Sequence, residues 1–270
     1  MFGKLLKHEW RATAPTLGLL NLAVVGTGTM CAVLLWAMFK YGEAMNEIAG
    51  LSLTMTLLFA ILAMIGCAFA VEIVQLVRFY KSRFTDEGYL MFTLPVSSHH
   101  VFLSAFVNML IWTVITAVAV IVSYALICLA VVDGLDKMGV MEMFDEIMEM
   151  FTSEYDFTAL TIIQTVVGAL YSIVVALTCV TIGAVAAKKH KVLAAFGAYY
   201  AISFVTSTVS SMLTVATSVN NMDYYLSAGT DVVYQATVQN MVFTIVWELL
   251  LMVGGYFLST WLMKRKLNLP

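Results

Sequence analysis

VFLSAFVNMLIWTVITAVAVIVSYALICLAVV, residues 101–132, contains no charged side chain and decides the solvent in which this chain folds. A helix needs roughly 20 apolar residues to cross about 30 Å of hydrocarbon, and this run exceeds that length. Five further stretches match it: Leu17–Phe39, Leu51–Val77, Phe157–Ala187, Val192–Val219 and Met241–Met263. With 61% apolar and only 11% charged residues, the spaces between them are too short for a soluble domain. The expected fold is all-α, a polytopic membrane protein with six transmembrane helices.

The basic residues are distributed unevenly around these stretches. Lys4, Lys7 and Arg11 precede the first, and Arg78, Lys81 and Arg83 separate the second from the third. Lys188, Lys189 and Lys191 separate the fourth from the fifth, and Lys264, Arg265 and Lys266 follow the sixth. Twelve of the 14 therefore lie on one side, leaving Lys40 and Lys137 for the other. The positive-inside rule predicts that both termini are cytoplasmic. Twelve of the 17 acids fall in the three outer connections, an asymmetry that the net charge of −3 conceals.

The first stretch exceeds the roughly 7–15 residues of a signal-peptide core and is expected to stay as a membrane helix. Cys31, Cys67, Cys128 and Cys179 all fall within predicted spans without metal-binding spacing, so they are expected to be unpaired and buried. His99 and His100 form a cytoplasmic pair with no nearby thiol or acidic cluster; a solvated loop end explains them better than a metal site. No linker or internal repeat divides the chain. A single membrane domain over residues 1–270 is expected, unlike carriers built from two related halves.

Two appendages flank the spans. Phe2, Leu5, Leu6 and Trp10 recur at helical spacing beside Lys4, Lys7 and Arg11, predicting an interfacial helix over residues 1–14 with Trp10 at headgroup depth. Pro15 is expected to end it. The outer connection, residues 133–156, places Met141, Phe144, Met148 and Phe151 on one face and Glu142, Asp145, Glu146 and Glu149 on the other. That pattern predicts an amphipathic helix between spans three and four. Its methionines suit Cu(I) chemically but are also ordinary gap-fillers, and no metal is expected.

Charged side chains at membrane depth are expensive and mark candidate sites. Glu72 lies in the second span, with Gln75 one turn away as a local partner. Glu248 lies deeper, in the sixth, with Thr244 one turn before it and Trp247 beside it. The fifth span carries a stripe of hydroxyls: Ser203, Thr206, Ser207, Ser210, Ser211, Thr214 and Thr217. Such groups either satisfy the backbone and pack helices or line a path. Glu72, Ser203, Ser207, Ser210, Thr214 and Glu248 are the candidate path residues. Gly18, Gly26 and Gly28 predict a close helix contact in the first span.

One connection has character beyond topology. Residues 78–103 read RFYKSRFTDEGYLMFTLPVSSHHVFL, too apolar for a solvated loop and too charged to be embedded. Pro95 stops the segment, and Ser97 or Ser98 is positioned to cap the third span. Glu87, Gly88, Tyr89, Leu90, Leu94, Pro95, Val96, Ser97, Leu103 and Ser104 resemble the motif of permeases of ATP-binding-cassette transporters, type-2 exporter class, at this same place. Ala105 departs from it, since a basic residue is usual there. The six spans, the N-terminal helix and the basic C-terminal stub extend the resemblance over the chain, which also looks like the versions found in Gram-positive bacteria.

That resemblance implies a bacterial plasma-membrane protein that pairs with a second permease subunit, the same chain or a related one. It implies an ATPase docked on the cytoplasmic coupling segment, residues 78–99, at Arg83, Asp86, Glu87, Gly88, Tyr89, Phe92 and Pro95. ATP and Mg are expected in that separate ATPase, because this chain has no G-x-x-x-x-G-K-[ST] phosphate loop. No cofactor, nucleic acid or catalytic residue is expected, and the cargo class is amphiphilic peptide, lipid-like or drug-like. Two other readings stay open. One is a proton-coupled carrier using Glu72 or Glu248, and the other is a membrane scaffold without a path.

Overall fold

A computed structural model describes residues 2–41, 46–85, 97–134, 155–187, 190–220 and 230–265. All regular structure among them is α-helical. In order the helices are α1 (Phe2–Tyr41), α2 (Glu47–Phe84), α3 (Ser98–Gly134), α4 (Tyr155–Ala186), α5 (Lys191–Asn220) and α6 (Thr230–Arg265). All six are long and apolar enough to cross a membrane. The chain is a multi-pass helical membrane protein. Its outward-facing side chains agree, since Leu22, Phe59, Phe69, Leu129 and Phe204 are each at least 65% exposed, an arrangement that hydrocarbon tolerates and water does not. The outer amphipathic helix expected around Met138–Phe151 lies outside the described residues.

Contacts divide the chain into two compact units, residues 1–78 with 107–150 and residues 79–106 with 151–270. In the first, α1, α2 and α3 share a core. Leu17, Val71 and Trp112 form one buried cluster with Trp10, Ala14 and Ile115 against it; Val24, Met64 and Ala119 form a second. The helix expected to stop at Pro15 does not. Instead α1 is continuous, with Pro15 inside it and residues 2–14 as its first turns. Packing over-rides the proline here. Trp10 stacks on Trp112 at 4.8 Å, and Trp112 Nε1 donates to Thr13 Oγ1 at 3.1 Å. Thr13 in turn donates to the Glu9 carbonyl at 2.9 Å. Hydroxyls and neighbouring helices routinely hold proline-containing turns in membrane helices.

Of the three glycines expected to make a close contact, only Gly28 does so. A Cβ built there would run into the Ser123 side chain and lie 3.1 Å from its Cα, whereas nothing approaches Gly18 or Gly26 within 4 Å. Ser123, fully buried, donates to the Ala119 carbonyl at 2.8 Å. Gly28→Ala should therefore overpack the α1–α3 crossing by about 2 kcal/mol. Adding Ser123→Gly should return part of that loss. A thermal melt of purified protein reads both, and a single variant as stable as wild type would remove the crossing.

In the second unit α4 is the central helix. Nearly half of its apolar window is buried, against none of the windows in α5 and α6. Ile173, Val174, Val175, Leu177 and Cys179 are its core face. Against it packs α6, where Gly255 leaves room for Thr178 and Val174, and Ser259 donates to Thr178 Oγ1 at 3.0 Å. Thr178 passes its own proton to the Val174 carbonyl at 2.7 Å, so the hydroxyl pair is satisfied without water. All four cysteines are free thiols. Cys31 and Cys179 are buried as expected, but Cys128 is exposed, because a weakly polar thiol faces hydrocarbon as readily as protein.

Candidate functional site

The coupling segment is described only at its two ends. Asp86, Glu87, Gly88, Tyr89, Phe92 and Pro95 lie outside the described residues. At its first end stands Arg83, the last basic residue of α2. Its side chain is fully buried. Nη1 donates to Ser82 Oγ at 2.7 Å, and Nη2 donates to the Val101 carbonyl at 3.2 Å and to Ser104 Oγ at 3.4 Å. The guanidinium also lies over the Phe79 ring, 4.8 Å from its centroid. One cation thus ties the last turn of α2 to the first turns of α3. A buried Arg83 presents no charge of its own at the surface, unlike the exposed docking residue the resemblance implies.

The exit of the segment is fixed as well. Ser97 caps α3, its carbonyl accepting from the amides of His100 at 3.0 Å and Val101 at 3.3 Å, while its hydroxyl pairs with His100 Nδ1 at 2.6 Å. His99 Nδ1 hydrogen-bonds the Tyr256 hydroxyl of α6 at 2.8 Å, and Phe102 meets the same ring edge-on at 5.5 Å. The sequence gives no sign of this latch, because Tyr256 lies 157 residues downstream of His99 in an otherwise apolar run. It joins the start of α3 to α6 inside one compact unit.

The two membrane carboxylates occupy different settings. In the first unit Glu72 Oε1 accepts from Thr113 Oγ1 of α3 at 3.2 Å. The expected partner, Gln75, is not engaged, and both of its amide atoms are buried without a partner among the described residues. Glu72 is thereby a helix–helix contact. In the second unit the expected neighbour of Glu248, Thr244, turns back to its own helix and donates to the Asn240 carbonyl at 2.8 Å. Glu248 faces α4 instead, where Gly168 leaves space: a Cβ there would lie 3.7 Å and 3.8 Å from the two carboxylate oxygens. One turn along that face of α4, the Tyr171 hydroxyl meets Thr206 Oγ1 of α5 at 3.2 Å. Glu248, Tyr171 and Thr206 all fall near the midpoints of their helices.

The rest of the α5 stripe behaves differently. Ser207 and Thr208 donate to the Phe204 carbonyl at 3.0 and 2.7 Å, Ser211 to Ser207 at 2.7 Å, and Thr214 to Ser210 at 3.0 Å. These hydroxyls satisfy their own helix. Ser207, Thr208, Ser211, Met212, Val215 and Ala216 of α5 are the described residues that line an open hollow of about 580 Å³. Ser203 and Ser210 are half-buried in the same helix. Thr206 carries the stripe across to another helix, through its bond to Tyr171 of α4. No family model matches this chain, and none of the curated proteins or solved structures compared with it matches either.

Proposed function

We propose that this chain is the permease subunit of an ATP-driven exporter of the ATP-binding-cassette type. It sits in a bacterial plasma membrane with both termini cytoplasmic and works with a second permease subunit and a separate ATPase. The observation that carries the reading is the construction around residues 86–96. Both flanking helix ends are tied together by buried Arg83, and the exit is latched to α6 through His99 and Tyr256. A loop with no load to bear has no use for a buried cation at its base, since burying that charge is costly unless it is fully hydrogen-bonded. The sequence of the segment supplies the rest: acidic and aromatic side chains that would face an ATPase, ahead of a proline turn. Closure of the ATPases on ATP would push on this segment and, through the contacts of Arg83 and His99 at its two ends, on α3 and α6.

Tagged protein purified in mild detergent from its own membranes should carry an ATPase with it. Glu87→Ala combined with Tyr89→Ala removes an acid and an aromatic anchor, a loss of about 2 kcal/mol or roughly 30-fold in affinity. The double variant should insert normally and yet release the ATPase or hydrolyse ATP without export. Wild-type protein that arrives alone and exports nothing on ATP addition would end this reading.

A further inference from the structure

The second unit contains a feature that coupling does not require: a carboxylate at mid-membrane with no cation beside it among the described residues of that unit. Every described lysine, arginine and histidine of that unit lies at or near a helix end, at Lys81, Arg83, His99, His100, His190, Lys191, Lys264 and Arg265. Glu248 Oε2 is buried without a hydrogen-bond partner among the described residues, as is the indole Nε1 of adjacent Trp247. Buried polar atoms are nearly always partnered, and those that are not call for a ligand, an ion or a function. Here two belong to consecutive residues near the midpoint of α6, the depth where carriers place their substrate sites.

We infer that Glu248, with the Tyr171–Thr206 hydroxyl pair and the Trp247 ring, binds a lipophilic organic cation: a protonated amine or onium group on an apolar body. The chemistry selects this class in three steps. A carboxylate in hydrocarbon attracts positive charge strongly because nothing screens it. A hard metal ion would want about six oxygens, and this site offers the carboxylate and two hydroxyls that already share one hydrogen bond. Aromatic faces favour diffuse organic cations, and Trp247 stacks parallel to Phe243 at 6.3 Å to present such a surface.

Access fits the same class. Glu248 is only partly buried, and Val246, Leu249 and Leu250 around it are exposed on the apolar surface of the unit. A ligand soluble in the membrane reaches the carboxylate along these side chains, whereas a hydrated ion does not. Gly168 borders the site, since a Cβ there would lie in ordinary van der Waals contact with both carboxylate oxygens. The inference rests on the permease reading for what becomes of the bound cation, but binding itself needs neither ATP nor an ATPase.

The test is equilibrium binding of tetraphenylphosphonium to the purified chain in nanodiscs, corrected for empty nanodiscs, with tetraphenylborate as the same shape of opposite charge. Wild-type protein should bind the cation saturably and prefer it over the anion by at least 10-fold. Glu248→Gln should weaken cation binding 10-fold or more, Glu248→Asp should retain part of it, and Thr206→Val should weaken it a few-fold. Wild-type protein that binds neither ion saturably, or both equally, overturns the inference without any mutant. Equal cation binding by wild type and a folded Glu248→Gln overturns it too. Failure of ATPase copurification leaves these results standing, and failure here leaves the coupling test standing.

Discussion

Gly183→Ala should cost the second unit about 3 kcal/mol, at the upper end of what overpacking does. A Cβ at this position would lie 2.6 Å from the Ala195 amide nitrogen and the Lys191 carbonyl oxygen, and 2.7 Å from the Ala195 Cβ. Two of these three obstacles are backbone, so no rotamer change relieves the clash. The end of α4 must separate from the first turn of α5, against the short connection that joins them. The backbone on both sides is already committed, with the Ala187 amide donating to Gly183 and the Ala194 amide to His190. Gly197 is the internal comparison, because nothing lies within 4 Å of a Cβ there. Gly197→Ala should be neutral or slightly stabilising, since alanine favours helix over glycine by about 1 kcal/mol. Thermal melts of the two variants decide the matter. Equal stability would mean that α4 and α5 do not approach at Gly183.

The contrast between glycines shows where sequence reading stops. The six apolar stretches predicted the six helices because hydropathy reports the solvent of a segment, and the solvent is a membrane. Their ends were less legible. Around Leu17–Phe39 the helix extends to Phe2–Tyr41, because hydropathy cannot see polar turns that continue a helix beyond the hydrocarbon. Pro15 gave a local reason to stop, and the contact of Trp10 and Thr13 with Trp112 over-rode it. Gly18, Gly26 and Gly28 look alike in sequence, yet which of them meets another helix depends on rotation about the helix axis.

The candidate site was legible to the same degree. Glu248 stood out because a charge in an apolar run is costly wherever it points. Tyr171 and Thr206 did not, since each becomes informative only when the phases of α4 and α5 bring their hydroxyls together. Thr244 and Gln75 were reasonable partners by helical spacing, and both were displaced by geometry. Thr244 bonds its own backbone, and Glu72 finds Thr113 on another helix. Spacing along one helix finds neighbours; the better partner is often across the bundle.

Arg83 was the least legible residue of all, and replacing it should have the broadest effect. A basic side chain just past a span ordinarily snorkels to water; this one is fully buried. Arg83→Met keeps most of the volume but removes the donors to Ser82, Val101 and Ser104. Hydrogen bonds to a charged group contribute roughly 1.5–3 kcal/mol each in isolation and less when shared, so a net loss of about 3 kcal/mol is expected. Ser104 Oγ continues to serve the Val101 carbonyl at 3.0 Å, which leaves the loss concentrated in the tie between α2 and α3. Arg83→Lys should recover little, because an ammonium cannot span the fork of acceptors that the guanidinium reaches. Lys81→Met, on an exposed neighbour, should leave the melt unchanged. Under the permease reading the functional consequence exceeds the thermodynamic one. With its base untied, residues 86–96 would yield to the ATPase without carrying α6, so ATP hydrolysis should persist while export falls at least 10-fold. Measuring the two rates on the same proteoliposomes separates a slack coupling from a misfolded protein. If Arg83→Met melts with wild type and exports at the wild-type rate per ATP, the buried cation is not what transmits the push.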